Sequence, residues 1–187
     1  MEPIRRASLI KATIAEIGDV GSLEVTVSRI AKRAGMSSAL AHHYFGSKEA
    51  IFLAAMRHVL TVYGAEVRGA MAAAETPEGR ARAIIRASFS SANFRREVIA
   101  AWLNFYVLAQ TRPDVRRLLT VYQRRLVSNL THALRPRLDA RAPEIAGSIA
   151  MLIDGAYLHA ALGADTPNAA HAIARVEAYL MLELKGA

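Results

Sequence analysis

The sequence predicts an all-α protein of about nine helices. Proline is favoured at the first position of a helix, where its missing N–H costs nothing. Four prolines stand where a helix could begin: Pro77, Pro113, Pro143 and Pro167. Apolar residues also recur at helical spacing, as Ile10, Ile14 and Ile17 do near the start. No segment shows the sustained alternation, rich in valine, isoleucine and threonine, that is typical of strands.

The first helix is predicted over about residues 4–20, with Gly18 as an unexpected residue near its end. A glycine there is expected to cost roughly 0.5–1 kcal/mol relative to alanine. Two short helices follow, with Thr26 and Ser37 placed as N-caps and Gly35 at the break between them. Two short helices joined by a glycine-containing turn predict a helix-turn-helix motif, whose second helix lies in the DNA major groove.

The fourth helix is predicted to begin after the N-cap Ser47 and to cover residues 48–74. At a rise of about 1.5 Å per residue, a helix of about 25 residues is roughly 38 Å long. It can therefore leave a three-helix head and enter a second domain. We predict a DNA-binding head over residues 1–47 and a ligand-binding and dimerisation domain over residues 48–187, with the fourth helix connecting them.

The second domain is predicted to hold five further helices. Their expected ranges are 77–92, 94–110, 113–134, 143–162 and 167–184. The last two carry apolar stripes, and the first of this pair is rich in alanine. They could form the core of a monomer or, with a second copy, a four-helix interface. Because paired operator half-sites need paired readers, we expect a homodimer through the last two helices.

The composition excludes several classes of protein. There is no cysteine, so disulfides, thiolate zinc sites and cysteine nucleophiles are absent. No secretory signal and no apolar run of about 18 uncharged residues is visible, so we expect a cytoplasmic protein without a membrane span. No catalytic or nucleotide-binding motif occurs. The adjacent His42 and His43 point about 100° apart on a helix, which disfavours a metal site.

The formal net charge of +8 favours a polyanionic partner. The first 47 residues nevertheless carry only six lysines and arginines against four acids. Most of the positive excess therefore lies outside the proposed DNA reader. Solvated helix faces explain it better than a second nucleic-acid site does.

Residues 35–56, GMSSALAHHYFGSKEAIFLAAM, resemble the head of TetR-family transcriptional regulators. The Gly-x-Ser turn, the HYF ending and the Ser-Lys-Glu start of the next helix carry this resemblance. Residues 100–130 and 151–163 resemble the choline-responsive, BetI-type repressors of betaine biosynthesis. The resemblance implies a homodimeric repressor that binds palindromic double-stranded operator DNA. It also implies a small-molecule effector, choline or a similar quaternary ammonium, and no cofactor.

The candidate DNA contacts fall into two groups. Four residues are expected to contact phosphates: Thr26, Ser37, Tyr44 and Lys48. Thr26 and Ser37 offer hydroxyls at helix N-termini and Lys48 offers an ammonium group, while the role of Tyr44 is implied by the family resemblance. The outer face of the second short helix is expected to meet the bases: Ser38, Ala39, Leu40, His42 and His43. This face lacks the side chains that make bidentate base contacts, so we expect modest direct readout. By its spacing, Leu40 could also face inward.

The candidate ligand-binding residues are five aromatic side chains and one acid: Trp102, Phe105, Tyr106, Tyr122, Asp154 and Tyr157. Aromatic side chains at helical spacing are also what core packing produces. Asp154 stands in an otherwise apolar stretch and needs a partner. That partner could be an arginine, a dimer contact or a cationic ligand. A quaternary ammonium gains about 0.5–2 kcal/mol per ring from aromatic faces.

Other functions stay open at this point. The effector could be another cationic or lipophilic molecule, as in a regulator of an efflux pump. A non-specific architectural DNA-binding protein is a more distant alternative, and an all-α enzyme has no motif in its favour. The sequence also leaves open whether the ligand releases or strengthens DNA binding.

Overall fold

The computed structural model describes residues 2–163 and 165–186, and within them the fold consists of α-helices without strands. The nine helices described there are α1 Glu2–Val20, α2 Val27–Arg33, α3 Ser38–Phe45, α4 Lys48–Ala73, α5 Pro77–Ser88, α6 Arg96–Thr111, α7 Pro113–Leu138, α8 Ala142–Leu162 and α9 Ala169–Lys185. The all-α prediction is thus confirmed. Residues 1, 164 and 187, which the predicted domains include, lie outside the described part.

The three predicted N-caps of the head are confirmed. The side chains of Thr26, Ser37 and Ser47 each accept a hydrogen bond from the backbone N–H three residues further on, at 3.1–3.2 Å. Such caps satisfy N–H groups that have no partner inside the helix. They fix where α2, α3 and α4 begin, so local sequence alone determines these boundaries.

Several boundaries in the second domain differ from the prediction. Pro167 does not begin a helix, because Asn168 caps α9 by accepting a hydrogen bond from the N–H of His171. α5 ends at Ser88 instead of continuing to residue 92. α7 continues past Pro136, which lies in its last turn. It then passes through the 3₁₀ turn Asp139–Arg141 directly into α8, with Asp139 at the positive φ of 43°.

Two helical stretches are long and apolar enough, by length and composition alone, to cross a membrane. They are α4 and the continuous stretch Pro113–Leu162, whose most apolar windows have mean hydropathies of 1.3 and 1.5. Core helices of globular proteins pass the same test. α4 buries Ile51, Phe52 and Val59 in the protein core, which accounts for its apolar character.

α1 packs against α2 and α4 on the side of the head and against α6 of the second domain. The crossing with α6 is so close that a Cβ atom added to Gly18 would lie 2.6 Å from the Cα of Glu97. Backbone atoms of α6 occupy the space that a side chain would need. This contact explains the glycine that is unexpected from helix propensity. The domain boundary after residue 47 stays a prediction.

We expect Gly18→Ala to lower the stability of the protein, by about 1–3 kcal/mol, although alanine is the better helix former. The physical reason is the overlap of the new methyl group with the backbone of Glu97. Gly69→Ala in α4 is the matched control, because a Cβ there meets no atom within 4 Å. That variant should gain roughly 0.5–1 kcal/mol in thermal or urea unfolding. Equal stabilisation of both variants would contradict the close crossing.

Candidate nucleic-acid interface and ligand site

A buried carboxylate fastens α2 to α1. Glu16 is only 5% exposed and accepts hydrogen bonds from Arg29 Nε at 3.0 Å and Arg33 Nε at 2.6 Å. Arg33 also pairs with Asp19 near the end of α1. Two arginines of the head are therefore engaged inside the protein. This removes part of the small positive excess that the head could offer to DNA.

α3 turns one side to the core and leaves the other to solvent. Ala41 is its only buried residue, whereas Ala39, His42 and His43 are exposed. Ser38 and Leu40 are partly exposed, so Leu40 is not part of the buried core. The face that sequence spacing assigns to base contacts is therefore accessible. Its contact with bases stays a prediction.

The predicted phosphate contacts occupy helix starts and the end of α3. Thr26 and Ser37 are exposed caps, while Tyr44 and Lys48 are partly buried. The Lys48 ammonium lies 5.4 Å from the centre of the Phe52 ring. The Tyr44 ring packs edge-on against that of His43, with centroids 5.5 Å apart. These contacts limit the motion of two side chains that we expect to meet the DNA backbone.

Arg6 holds the end of α3 from the side of α1, a role that the sequence does not reveal. Its guanidinium donates a hydrogen bond to the backbone oxygen of Tyr44 and lies 4.4 Å from the centre of the Phe45 ring. The two residues that hydrogen-bond are 38 positions apart. No local signal connects them, because the contact depends on how α1 crosses α3.

The structure brings the six predicted ligand-site residues into one cluster on α6, α7 and α8. Trp102 lies at its centre, and its ring is 4.7 Å from Tyr122, 5.7 Å from Tyr106, 6.0 Å from Phe105 and 6.2 Å from Tyr157 between centroids. All the rings except that of Tyr106 are buried. The aromatic side chains therefore also serve as core, as one of the two interpretations of the sequence expects.

Asp154 joins the cluster through one hydrogen bond. The hydroxyl of Tyr106 donates to its Oδ1 at 2.9 Å. No lysine or arginine pairs with Asp154 within the described residues, so an arginine partner from the same chain is not found there. Burial raises the pKa of Asp154, and the Tyr106 hydrogen bond opposes this. Burial, together with the Asp154 charge, likewise raises the pKa of Tyr106.

Tyr63 of α4 extends the cluster, although its sequence position on the apolar side of α4 does not distinguish it from a core residue. Its ring lies 5.5 Å from that of Tyr122, and its hydroxyl lies 3.3 Å from Ser88 Oγ. Burial raises its pKa to about 12. Tyr157 donates a hydrogen bond to the backbone oxygen of Ser88 at 2.6 Å. α4 and α8 thus meet at the end of α5.

Within residues 2–163 and 165–186, no three histidine or acidic side chains converge as metal ligands would. The Nδ1 of His42 lies 3.3 Å from the backbone oxygen of Gly46.

We expect removal of both arginines, by Arg29→Gln with Arg33→Gln, to destabilise the head more than Glu16→Gln does. Without the arginines the buried carboxylate of Glu16 loses both partners. Without the carboxylate, the guanidiniums of Arg29 and Arg33, whose side chains are 57% and 39% exposed, return to water at little cost. Thermal unfolding of the three proteins measures the difference. A larger loss in Glu16→Gln would contradict this asymmetry.

Two family models match the chain. The model of bacterial regulatory proteins of the tetR family covers residues 9–55, and that of the C-terminal domain of BetI-type transcriptional repressors covers residues 77–185. The regulator BetI of Brucella canis is 53% identical over 187 residues, which are 100% of this chain and 94% of the relative. The regulator BetI of Rhizobium meliloti is 45% identical over 186 residues, covering 99% and 92%.

Solved structures agree on the fold. A transcriptional regulator from Pseudomonas aeruginosa PAO1 matches with a TM-score of 0.80 at 25% identity, over 100% of this chain and 93% of that one. A transcriptional regulator from Saccharomonospora viridis in complex with choline matches with a TM-score of 0.81 at 19% identity, over 94% and 95%. The chain belongs to the TetR family of bacterial transcriptional regulators, with a BetI-type C-terminal domain, and is a DNA-binding regulator of transcription and not an enzyme.

Proposed function

We propose that this regulator is a cytoplasmic homodimer that represses genes for the conversion of choline to glycine betaine and that choline, or a close quaternary ammonium, is its effector. The observation that carries the proposal is the carboxylate of Asp154, which pairs with no lysine or arginine among the described residues and lies beside the aromatic rings of Trp102 and Tyr106. Relatives named BetI over the full chain support it, as does the choline complex of a protein with the same fold.

The chemistry of the cluster suits a quaternary ammonium. Such a cation has no N–H to donate, so aromatic faces and a carboxylate are the groups that attract it. In the structure the Tyr106 hydroxyl satisfies Asp154 and the Trp102 ring packs against Tyr106. A cation that approaches the carboxylate competes with Tyr106 and moves rings that contact one another. Binding would therefore shift α6 relative to α8, the two helices that carry these side chains.

The same helix α6 contacts the head. Trp102 and Tyr106 follow Glu97 by one to three turns, and Glu97 is the residue against which Gly18 of α1 packs. A displacement of α6 would reach α1 through that contact, while α4 offers a second route through Tyr63. A ligand that prefers one spacing of the two heads changes operator affinity, and DNA changes ligand affinity by the same factor.

We place the dimer interface on α8 and α9, as the sequence predicts. α8 has two faces: Ile145, Ile149 and Ile153 are buried in the core, but other apolar side chains point to solvent. The exposed ones on the two helices include Met151 at 70%, Leu162 at 76% and Leu182 at 69%. Large exposed apolar patches mark interaction sites. The monomer core and the dimer interface thus use different faces of the same helix.

We expect Asp154→Asn to weaken choline binding at least about tenfold, equal to about 1.4 kcal/mol, without loss of stability. The pKa of Asp154 is raised in the folded protein, so its ionised form opposes folding above that pKa, and asparagine removes this penalty. The fluorescence of Trp102, the single tryptophan, reports binding. Glu144→Gln, on the exposed part of α8, is the control.

The choline affinity of the wild-type protein should also depend on pH. Protonation neutralises the carboxylate, so affinity should fall as the pH drops through the raised pKa of Asp154, above the usual aspartate range. Unchanged binding in Asp154→Asn, or no fluorescence change and no heat at millimolar choline, would refute choline as the effector at this site.

Operator binding should fall steeply between about 50 and 200 mM salt, because phosphate contacts supply most of the affinity. Lys48→Gln removes one such contact from each subunit. If a dimer binds the palindrome, the slope of log K against log salt should become shallower by about 2. Lys185→Gln at the end of α9 should leave the slope unchanged. A flat salt dependence of the wild type, or equal affinity for random DNA, would contradict specific operator binding.

A further inference from the structure

The C-terminal domain also has a groove whose charged side chains are positive, whereas the Asp154 cluster carries a carboxylate. It runs between α4 and α7, has a volume of about 810 Å³ and is here named the α4–α7 groove. Its residues recur at intervals of three and four on each helix, so one face of α4 and one face of α7 form its walls.

The base of the groove is apolar and aromatic, whereas its rim is cationic. Val67, Leu126, Tyr63 and Tyr122 are buried in its base. The exposed rim carries three guanidiniums: Arg57, Arg68 and Arg125. None of the described residues that line the groove is an aspartate or a glutamate. The three arginines make no ion pair with an acid within the described chain.

Three exposed arginines beside an apolar groove give it a positive potential that attracts an anion. The planar guanidinium fits a carboxylate with two parallel hydrogen bonds. The apolar base adds the burial of a hydrocarbon chain, which stabilises a complex by about 0.8 kcal/mol per CH₂ group. A simple inorganic anion would leave that base uncovered.

We propose that the α4–α7 groove binds a single-chain amphipathic carboxylate, with its head at the arginine rim and its chain along the groove base. This site shares Tyr63 and Tyr122 with the aromatic cluster of the proposed function, but its charged side chains are arginines, and it adds a second class of effector. Its base reaches Tyr122, whose ring packs 4.7 Å from Trp102. An occupant therefore contacts the aromatic cluster at Tyr122 and separates α4, the helix that continues into the head, from α7.

Gly64 provides a way to block the groove without weakening the fold. It lies in the middle of α4 and lines the groove, and an added Cβ would meet only the mobile end of the Arg68 side chain, at 3.3 Å. Leucine is a better helix former than glycine. Gly64→Leu should therefore fill the groove and keep or raise the melting temperature.

The test is calorimetric titration of the full chain with decanoate below its micellar concentration and with decanol below its solubility limit, alongside Trp102 fluorescence. Decanoate should bind once per chain, and decanol at least about tenfold more weakly, a difference of about 1.4 kcal/mol. Arg125→Gln should weaken decanoate binding by a similar factor, and Gly64→Leu should abolish it. Arg124→Gln, also exposed and one residue away on α7, should bind decanoate as the wild type does.

Three results would overturn the proposal. Equal binding of decanoate and decanol would show that the arginines do not select the occupant. Binding to phosphatidylglycerol vesicles without binding of decanoate would assign the groove to a membrane surface. Loss of operator affinity in Arg125→Gln, with no effect of decanoate, would assign the arginines to DNA phosphates. Choline titrations of the same variants are read separately, because failure of choline binding bears only on the Asp154 cluster.

Discussion

The crossing of α1 with α6 is the constraint on which the rest of the structure depends. α1 carries the head, since Glu16 holds α2 through two arginines and Arg6 holds the end of α3. The other side of α1 packs on α6 so closely that residue 18 has no room for a side chain. α6 in turn carries Trp102 and Tyr106 of the aromatic cluster. The DNA-binding head and the C-terminal helices therefore meet at this crossing, and a displacement of one is transmitted to the other through it.

Local sequence determines much of this fold, and long-range packing determines the remainder. The N-caps Thr26, Ser37 and Ser47 could be predicted because a cap and its partner are three residues apart. The prediction that a helix begins at Pro167 is wrong for an equally local reason: Asn168 caps the helix with its side chain, which proline cannot do. The ion pairs and hydrogen bonds that join α1 to α2 and α3 depend on how the helices pack in space, which the residue spacing along one helix does not predict.

The residues of the candidate ligand site could be predicted from the sequence, but the contacts that join them across helices could not. The spacing of Trp102, Phe105 and Tyr106 places three rings near one another on a helix, and the lone acid Asp154 draws attention by its apolar surroundings. The hydrogen bond from Tyr106 to Asp154 joins residues 48 positions apart and was not foreseen. The sequence does not identify Tyr63 as part of this cluster, because an aromatic residue on the apolar side of a long helix has the same sequence pattern whether it lines a site or packs in a core.

In the proposed dimer, the distribution of charge favours control through the spacing of the two heads. Of the few cations in the head, Arg29 and Arg33 are engaged with Glu16, and the outer face of α3 offers histidines, small side chains and a leucine. One such head gains little from bases and modestly from phosphates. Two heads held at a fixed separation add their contacts only when both half-sites are in register. On this proposal, a ligand that alters the separation changes operator affinity without any contact with DNA.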